Sequence, residues 1–320
     1  MRREGSPFQG VGTVFAKELT DNISSARMLV LELLIVLTAL AALYGAISNL
    51  RTNTAEDPFL LLRLFTLSSS PLPSFVAILG FLIPLMAIGL GFDSVNSEFN
   101  RRTLSRILAQ PIYRDALLIG KFLAGLATLA VNLTALWLMV IGLGLLFLGV
   151  PPGTEEILRS LAFLVIAIFY AGVWLALAML LSIVFRSPAT AALVALGIWL
   201  FLTVLWPMLA PAFAQIIAPP DPRYAALGLQ TPATGLWSQF LMRVSPNDLF
   251  AEAMLAILSP TTRTLGAVFL DQLRGALMGA PLPIGESLMI AWPQTVGLIA
   301  SNIVLFVAGY ILFQRQEVRA

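Results

Sequence analysis

Six stretches of the chain run without a charged residue for roughly the length of a bilayer crossing: 33–50, 64–92, 122–154, 160–185, 187–220 and 287–314. A hydrocarbon core of roughly 30 Å needs about 20 apolar residues of helix, so each run predicts a membrane-spanning helix. The first run is the shortest and extends back through Glu32 to about Met28. The spans are expected at about 28–50, 74–92, 116–149, 158–185, 189–212 and 290–313, in a single transmembrane domain covering 1–320. The fold class is all-α integral membrane protein. A seventh uncharged run, 224–242, holds Gln230, Thr231, Pro232, Thr234, Ser238 and Gln239. Those groups are costly in lipid without partners, and the run reads as a loop.

The polar segments carry patterns of their own. Ahead of the first span, within residues 1–27, Val11, Phe15, Leu19 and Ile23 recur every four residues, with Lys17, Glu18, Asp21 and Asn22 off that stripe. This predicts an amphipathic helix at the membrane surface, feeding into the first crossing. Asp57-Pro58 predicts the start of a short surface helix. Between the fifth and sixth spans, 213–289 forms a helical outer segment. Ser245-Pro246-Asn247-Asp248 opens a helix whose Leu249, Phe250, Ala253, Met254, Ile257 and Leu258 fall at helical spacing until Pro260. Leu265, Phe269, Leu273 and Leu277 mark a second one. Both read as amphipathic helices resting on the outer leaflet or capping the bundle.

The most polar interruption is 93–115, DSVNSEFNRRTLSRILAQPIYRD, with seven charged residues. Val95 and Phe99, then Leu104, Ile107 and Leu108, alternate with Glu98, Arg101, Arg102 and Arg106 until Gln110-Pro111 breaks the helix. The island offers an apolar ridge and charges to a soluble partner.

Composition narrows the function by exclusion. At 58% hydrophobic and 11% charged residues, with a net charge of +2, the chain shows no nucleic-acid surface. It has no Cys and no His, which removes disulfides, thiolate and imidazole metal sites, Cys nucleophiles and His bases. Gly120-Lys121 is followed by Phe122 and lacks the glycine expected five residues earlier, so it is not a phosphate-binding loop. Ionisable groups are almost absent from the spans. Glu32 reads as interfacial or paired with Arg27, and Lys121 as snorkelling to headgroups. Nothing in the chain supplies an energy source, and the polar positions Asn132, Thr134, Thr190, Thr203, Ser301 and Asn302 form no aqueous stripe. A substrate moved along such a surface would be hydrophobic or amphipathic. Most of the 19 cations fall on one side if the N-terminus is cytoplasmic, which predicts both termini inside. An accessory membrane scaffold and an autonomous channel or secondary carrier remain open on these grounds.

Three stretches resemble the permease subunits of type-2 ABC transporters, the mostly exporting group that includes the nitrous-oxide-reductase maturation permease. They are F-A-K-E-L at 15–19 with Arg27; D-x-x-x-x-E-x-x-x-R-T-L-x-x-I-L-A-x-P-I-x-R at 93–114, running into Gly120-Lys121-Phe122; and F-x-R-x-E-V at 313–318. S-P-N-D-L-F-A-E-A, at 245–253, looks like the outer segment of the nitrous-oxide branch. The resemblance implies an elbow helix bearing Phe15, Lys17, Glu18, Leu19 and Arg27. It also implies a coupling helix that docks into a cytoplasmic ABC ATPase through Asp93, Glu98, Phe99, Arg101, Arg102, Thr103, Leu104, Arg106 and Ile107. It further implies an inner-membrane homodimer or heterodimer, with ATP and magnesium bound by the partner ATPase and no cofactor in this chain.

Overall fold

A few prolines, glycines and capping residues decide how the spans meet. The structure, a computed structural model, describes residues 10–52, 59–68, 73–100, 114–149, 151–219, 221, 223, 231–263, 265 and 281–315. The elements are α1 (Val11–Ile23), α2 (Ala26–Thr52), α3 (Leu60–Thr66), α4 (Phe75–Gly91), α5 (Asn96–Asn100), α6 (Arg114–Leu148) and α7 (Thr154–Val184). After these come α8 (Pro188–Leu200), a π-helical turn (Phe201–Leu205), α9 (Trp206–Ile217), α10 (Pro232–Met242), α11 (Pro246–Leu258) and α12 (Ile284–Arg315). Six helical stretches are long and apolar enough to cross a membrane: Ala26–Leu50, Phe75–Asn100, Arg114–Leu148, Thr154–Val184, Pro188–Ile217 and Ile284–Arg315. The expected all-α membrane fold is therefore the observed one.

Local chemistry sets the helix ends. Ser74 caps α4 by accepting from the Ala77 N–H at 3.3 Å, and Ser187 precedes Pro188 at the start of α8. Gly149, at φ 69°, closes α6 in the left-handed conformation, its N–H on the Leu145 carbonyl at 3.1 Å. The most enclosed span is α7, which packs against α4, α6, α11 and α12. At Gly91 the backbones of α4 and α7 approach closely. A Cβ there would lie 2.7 Å from that of Ala178 and 3.2 Å from the Leu175 carbonyl oxygen.

Two prolines open carbonyls that tertiary contacts then use. Pro84 has no N–H for the Gly80 carbonyl, which instead accepts from the Tyr170 hydroxyl at 2.8 Å. Pro207 likewise has no N–H for Thr203, and the helix widens ahead of it, the Trp206 N–H reaching back to the Phe201 carbonyl. At this wide turn the Leu202 carbonyl accepts from Ser245 Oγ at 3.2 Å, while Thr203 contacts the Asn247 amide. Trp206 Nε1 donates to the Leu241 carbonyl at 2.8 Å, and Tyr170, halfway along α7, also contacts Asn247.

These bonds hold the tip of the α10–α11 hairpin at mid-depth. α10 runs along α9, and α11 returns against α7 and α12. The pair is re-entrant: it dips into the bundle and leaves on the side from which it came. This corrects two expectations. The loop assigned to 224–242 is helical from Pro232 onward, residues 224–230 lying outside the described set. The helix after Ser245 does not rest on a surface, since Phe250, Ala253, Met254 and Ile257 are all buried among the spans. The fifth crossing also continues to Ile217, past the expected 212. Asp57, Pro58 and the segment with Phe269, Leu273 and Leu277 lie outside the described residues.

Candidate functional site

Helix α1 packs along the beginning of α6 because residue 120 has no side chain. A Cβ on Gly120 would sit 2.8 Å from Val14 Cγ1, 2.9 Å from Val14 Cβ and 3.2 Å from the Val11 carbonyl oxygen. Val14 is buried in that contact, whereas Ile23, from the predicted stripe, is exposed and Phe15 and Leu19 are half-buried. Gly120→Ala is accordingly expected to cost about 1–3 kcal/mol through overpacking. Limited proteolysis of α1 in the detergent-solubilised protein would show it as faster cleavage; unchanged cleavage would mean that α1 is held elsewhere.

The next residue, Lys121, carries the centre of the site. Its ammonium lies 3.0 Å from Glu18 Oε1 on α1 and 2.8 Å from Glu98 Oε1 on α5, and its side chain is only 5% exposed. Lys121 therefore does not snorkel; it joins three elements far apart in sequence. Glu18, expected on the solvent side of α1, turns inward to meet it. Lys17 remains outside, paired with Glu18 at 3.1 Å and Asp21 at 3.2 Å. Partial burial pulls the Lys17 ammonium down, but the two carboxylates outweigh it and hold the group above the usual lysine value.

Around the 92–96 turn, two helix ends satisfy one another. Ser182 Oγ on α7 accepts from the N–H groups of Val95 at 3.1 Å and Asn96 at 3.2 Å, serving as an N-cap supplied by a neighbouring helix. In return, the amide of Asn96 donates to the Phe185 carbonyl at 3.3 Å and that of Asn100 to the Arg186 carbonyl at 2.9 Å, where α7 has run out of internal donors. Arg27, at the start of α2, bonds Asp93 at 2.8 Å and lies 5.3 Å above the Phe92 ring. On the far side of the segment 101–113, Asp115 Oδ1 accepts from the Tyr310 hydroxyl at 3.0 Å and from the Gln314 amide, tying α6 to the end of α12.

The structure pairs Asp93 with Arg27, gathers Glu18 and Glu98 around Lys121, and packs a half-buried Phe99 against the core. Arg101, Arg102, Thr103, Leu104, Arg106 and Ile107 lie outside the described residues. Sequence reading missed Ser182, Asn96, Asn100 and Asp115, ordinary polar residues at span ends. The signal for Lys121 was its position beside Gly120 at the head of an uncharged run.

In the six-span bundle, the most polar interruption is thus fastened to the spans on both sides. A family model described as ABC-2 family transporter protein matches residues 12–318, and the chain belongs to that family. It is a multi-pass membrane protein and a transmembrane permease subunit of an ABC transporter, a family that works with a partnering ATPase subunit. Its relatives include the probable ABC transporter permease protein NosY of Pseudomonas aeruginosa, 30% identical over 203 residues, or 61% of this chain and 68% of that protein. The protein of the same description from Stutzerimonas stutzeri is 24% identical over 308 residues, 96% of this chain and 98% of that one.

Proposed function

We propose that the chain is the permease half of an ATP-driven exporter of a hydrophobic or amphipathic substrate. The segment 93–115 serves as its coupling helix on the cytoplasmic face of the inner membrane. Both termini lie on that face. Two copies, or this chain and a similar one, pair across the membrane, and the partner ATPase binds ATP and magnesium. The observation that carries this reading is the fastening of 101–113 at both ends: Glu98 to Lys121 and α1 before it, Asp115 to Tyr310 after it. A push on the segment reaches α1, α6, α7 and α12 without crossing a slack linker.

In this scheme Arg101, Arg102, Thr103 and Arg106 meet the ATPase groove, with Phe99, Leu104 and Ile107 as apolar anchors, while Asp93 and Glu98 aim the helix from behind. Exchanging both Arg101 and Arg102 for Glu is expected to leave a folded permease that retains roughly tenfold less ATPase on co-purification. Undiminished retention would place the docking surface elsewhere. A second reading, a maturation permease of a nitrous-oxide-reductase-like system, is supported by the two NosY relatives and by the SPNDLFAEA stretch that forms the re-entrant α11. Flux through reconstituted permease without any ATPase would instead favour an autonomous carrier, and ATPase binding without substrate-stimulated turnover would favour a scaffold.

A further inference from the structure

Away from the coupling network, α3, α4, α11 and the π turn line an open cavity of about 540 Å³, within the range that holds a drug-sized molecule. Its lining is mostly apolar, with Val76, Ala77 and Phe81 from α4 and Leu255 and Leu258 from α11. Asp248 breaks that surface. Its Oδ2 is shielded from solvent and has no hydrogen-bond partner among the described residues. The cation next along the chain, Arg243, is already taken by Glu252 at 2.8 Å, which also accepts from Gln294 at 2.8 Å.

A structural role explains only part of this. As the third residue of α11, Asp248 is placed to help cap the helix, and one carboxylate oxygen suffices for that. The second oxygen is left without a partner among the described residues, and the half-buried side chain as a whole lines the cavity. A carboxylate half-buried against an apolar cavity is costly unless a cation meets it. Phe81 adds an aromatic surface: it meets Trp199 edge-on at 4.8 Å and remains 46% exposed. A second cavity of about 440 Å³ shares Thr66, Leu258 and Ser259 with the first and extends to Arg63 and Pro281. The two volumes together lead from Asp248 toward the end of the bundle that carries α3.

We propose that this cavity binds a monocationic amphipath, with Asp248 meeting the positive charge and Phe81, Val76, Leu255 and Leu258 flanking the apolar body. The inference rests on the export reading and names the substrate class for it: organic cations with one charge and a bulky apolar frame. The carboxyl selects against anions of the same shape, and the depth of the site selects against strongly hydrated ions.

The test uses the full chain in nanodiscs of a zwitterionic lipid, with empty nanodiscs as the blank and no ATPase present. Tetraphenylphosphonium is expected to bind saturably, and tetraphenylborate, nearly the same shape with the opposite charge, is not. Asp248→Asn keeps the volume and an acceptor oxygen for the cap, and is expected to weaken tetraphenylphosphonium about tenfold while leaving the melting temperature unchanged. Equal binding of the two ions, unchanged affinity in Asp248→Asn, or no saturable binding to the wild-type chain, as when lipid or a second copy fills the space, would overturn the proposal. Should Asp248→Asn fail to fold, Leu255→Trp fills the cavity with Asp248 intact. That variant is expected to abolish binding, and retained binding would overturn the proposal equally. Because no ATPase is used, failed docking at 93–115 leaves the result untouched, while a complex that couples normally yet shows no cation binding would sink only this inference.

Discussion

Replacing Arg159 with Met is expected to destabilise the permease by about 3–5 kcal/mol, the range for removing one partner of a buried charge network. Arg159 is fully buried at the start of α7. Its guanidinium donates to Glu155 Oε1 at 3.0 and 2.8 Å, to the Ile257 carbonyl at 2.7 Å, to Ser287 Oγ at 3.0 Å and to the Leu282 carbonyl. The Ile257 carbonyl belongs to the last turn of α11, where helical carbonyls have no internal donor and the helix end is electronegative. Arg159 thus caps the re-entrant hairpin from a neighbouring span and joins it to the first turn of α12. Methionine keeps the length but leaves two buried carbonyls unsatisfied, at about 1–3 kcal/mol each. Lysine keeps the charge but cannot span the fork, and an intermediate loss is expected. Thermal unfolding followed by tryptophan fluorescence in detergent measures the series. Lys17→Met is the control, because its exposed pairs are worth at most about 1 kcal/mol. An Arg159→Met melting temperature equal to wild type would mean that packing alone holds α11.

Near Arg159, Glu156 shows why the fold was legible in part. Its Oε2 takes the Gly153 N–H at 2.8 Å, a cap within its own helix that sequence can suggest, while its Oε1 takes the Leu61 N–H of α3 at 2.8 Å, ninety-five positions away. The six spans could be read because missing charge over a bilayer's length is a one-dimensional signal. The re-entrant hairpin could not. Thr234 and Gln239 are costly in lipid when unpartnered, yet Thr234 Oγ1 finds the Ala218 carbonyl at 2.7 Å and Gln239 Nε2 the Leu265 carbonyl at 2.7 Å. The apolar stripe of α11 was likewise correct, but periodicity gives the buried face and not what buries it. Pro84 announces an open carbonyl at Gly80, and nothing local announces Tyr170. At the coupling end, the polar island and the amphipathic α1 were visible separately. Their junction through Lys121 needed the third dimension.

That junction yields the second large effect, and it is asymmetric. The Lys121 ammonium sits between two carboxylates, Glu18 and Glu98, only 16% and 12% exposed, while the exposed Lys17 reaches Glu18 from outside. Removing one carboxylate, as in Glu18→Gln, leaves a neutral pair plus a hydrogen-bonding amide, and a change within about 1 kcal/mol is expected. Removing Lys121 takes the buried ammonium from between the two shielded carboxylates and leaves Glu18 with the exposed Lys17. Lys121→Met is therefore expected to cost about 3–5 kcal/mol and to release α1 to protease. Combining it with Glu18→Gln and Glu98→Gln removes the repulsion, and most of the lost stability is expected to return. ATPase turnover stimulated by the permease then separates structure from transmission. A triple variant that regains stability but not stimulation would place the Lys121 charge in the coupling step itself, and one that regains both would make it a clamp for the elbow helix. If Lys121→Met keeps wild-type melting and protease resistance, the ion cluster holds neither α1 nor α5, and the fastening of 101–113 at its first end is lost as support for coupling.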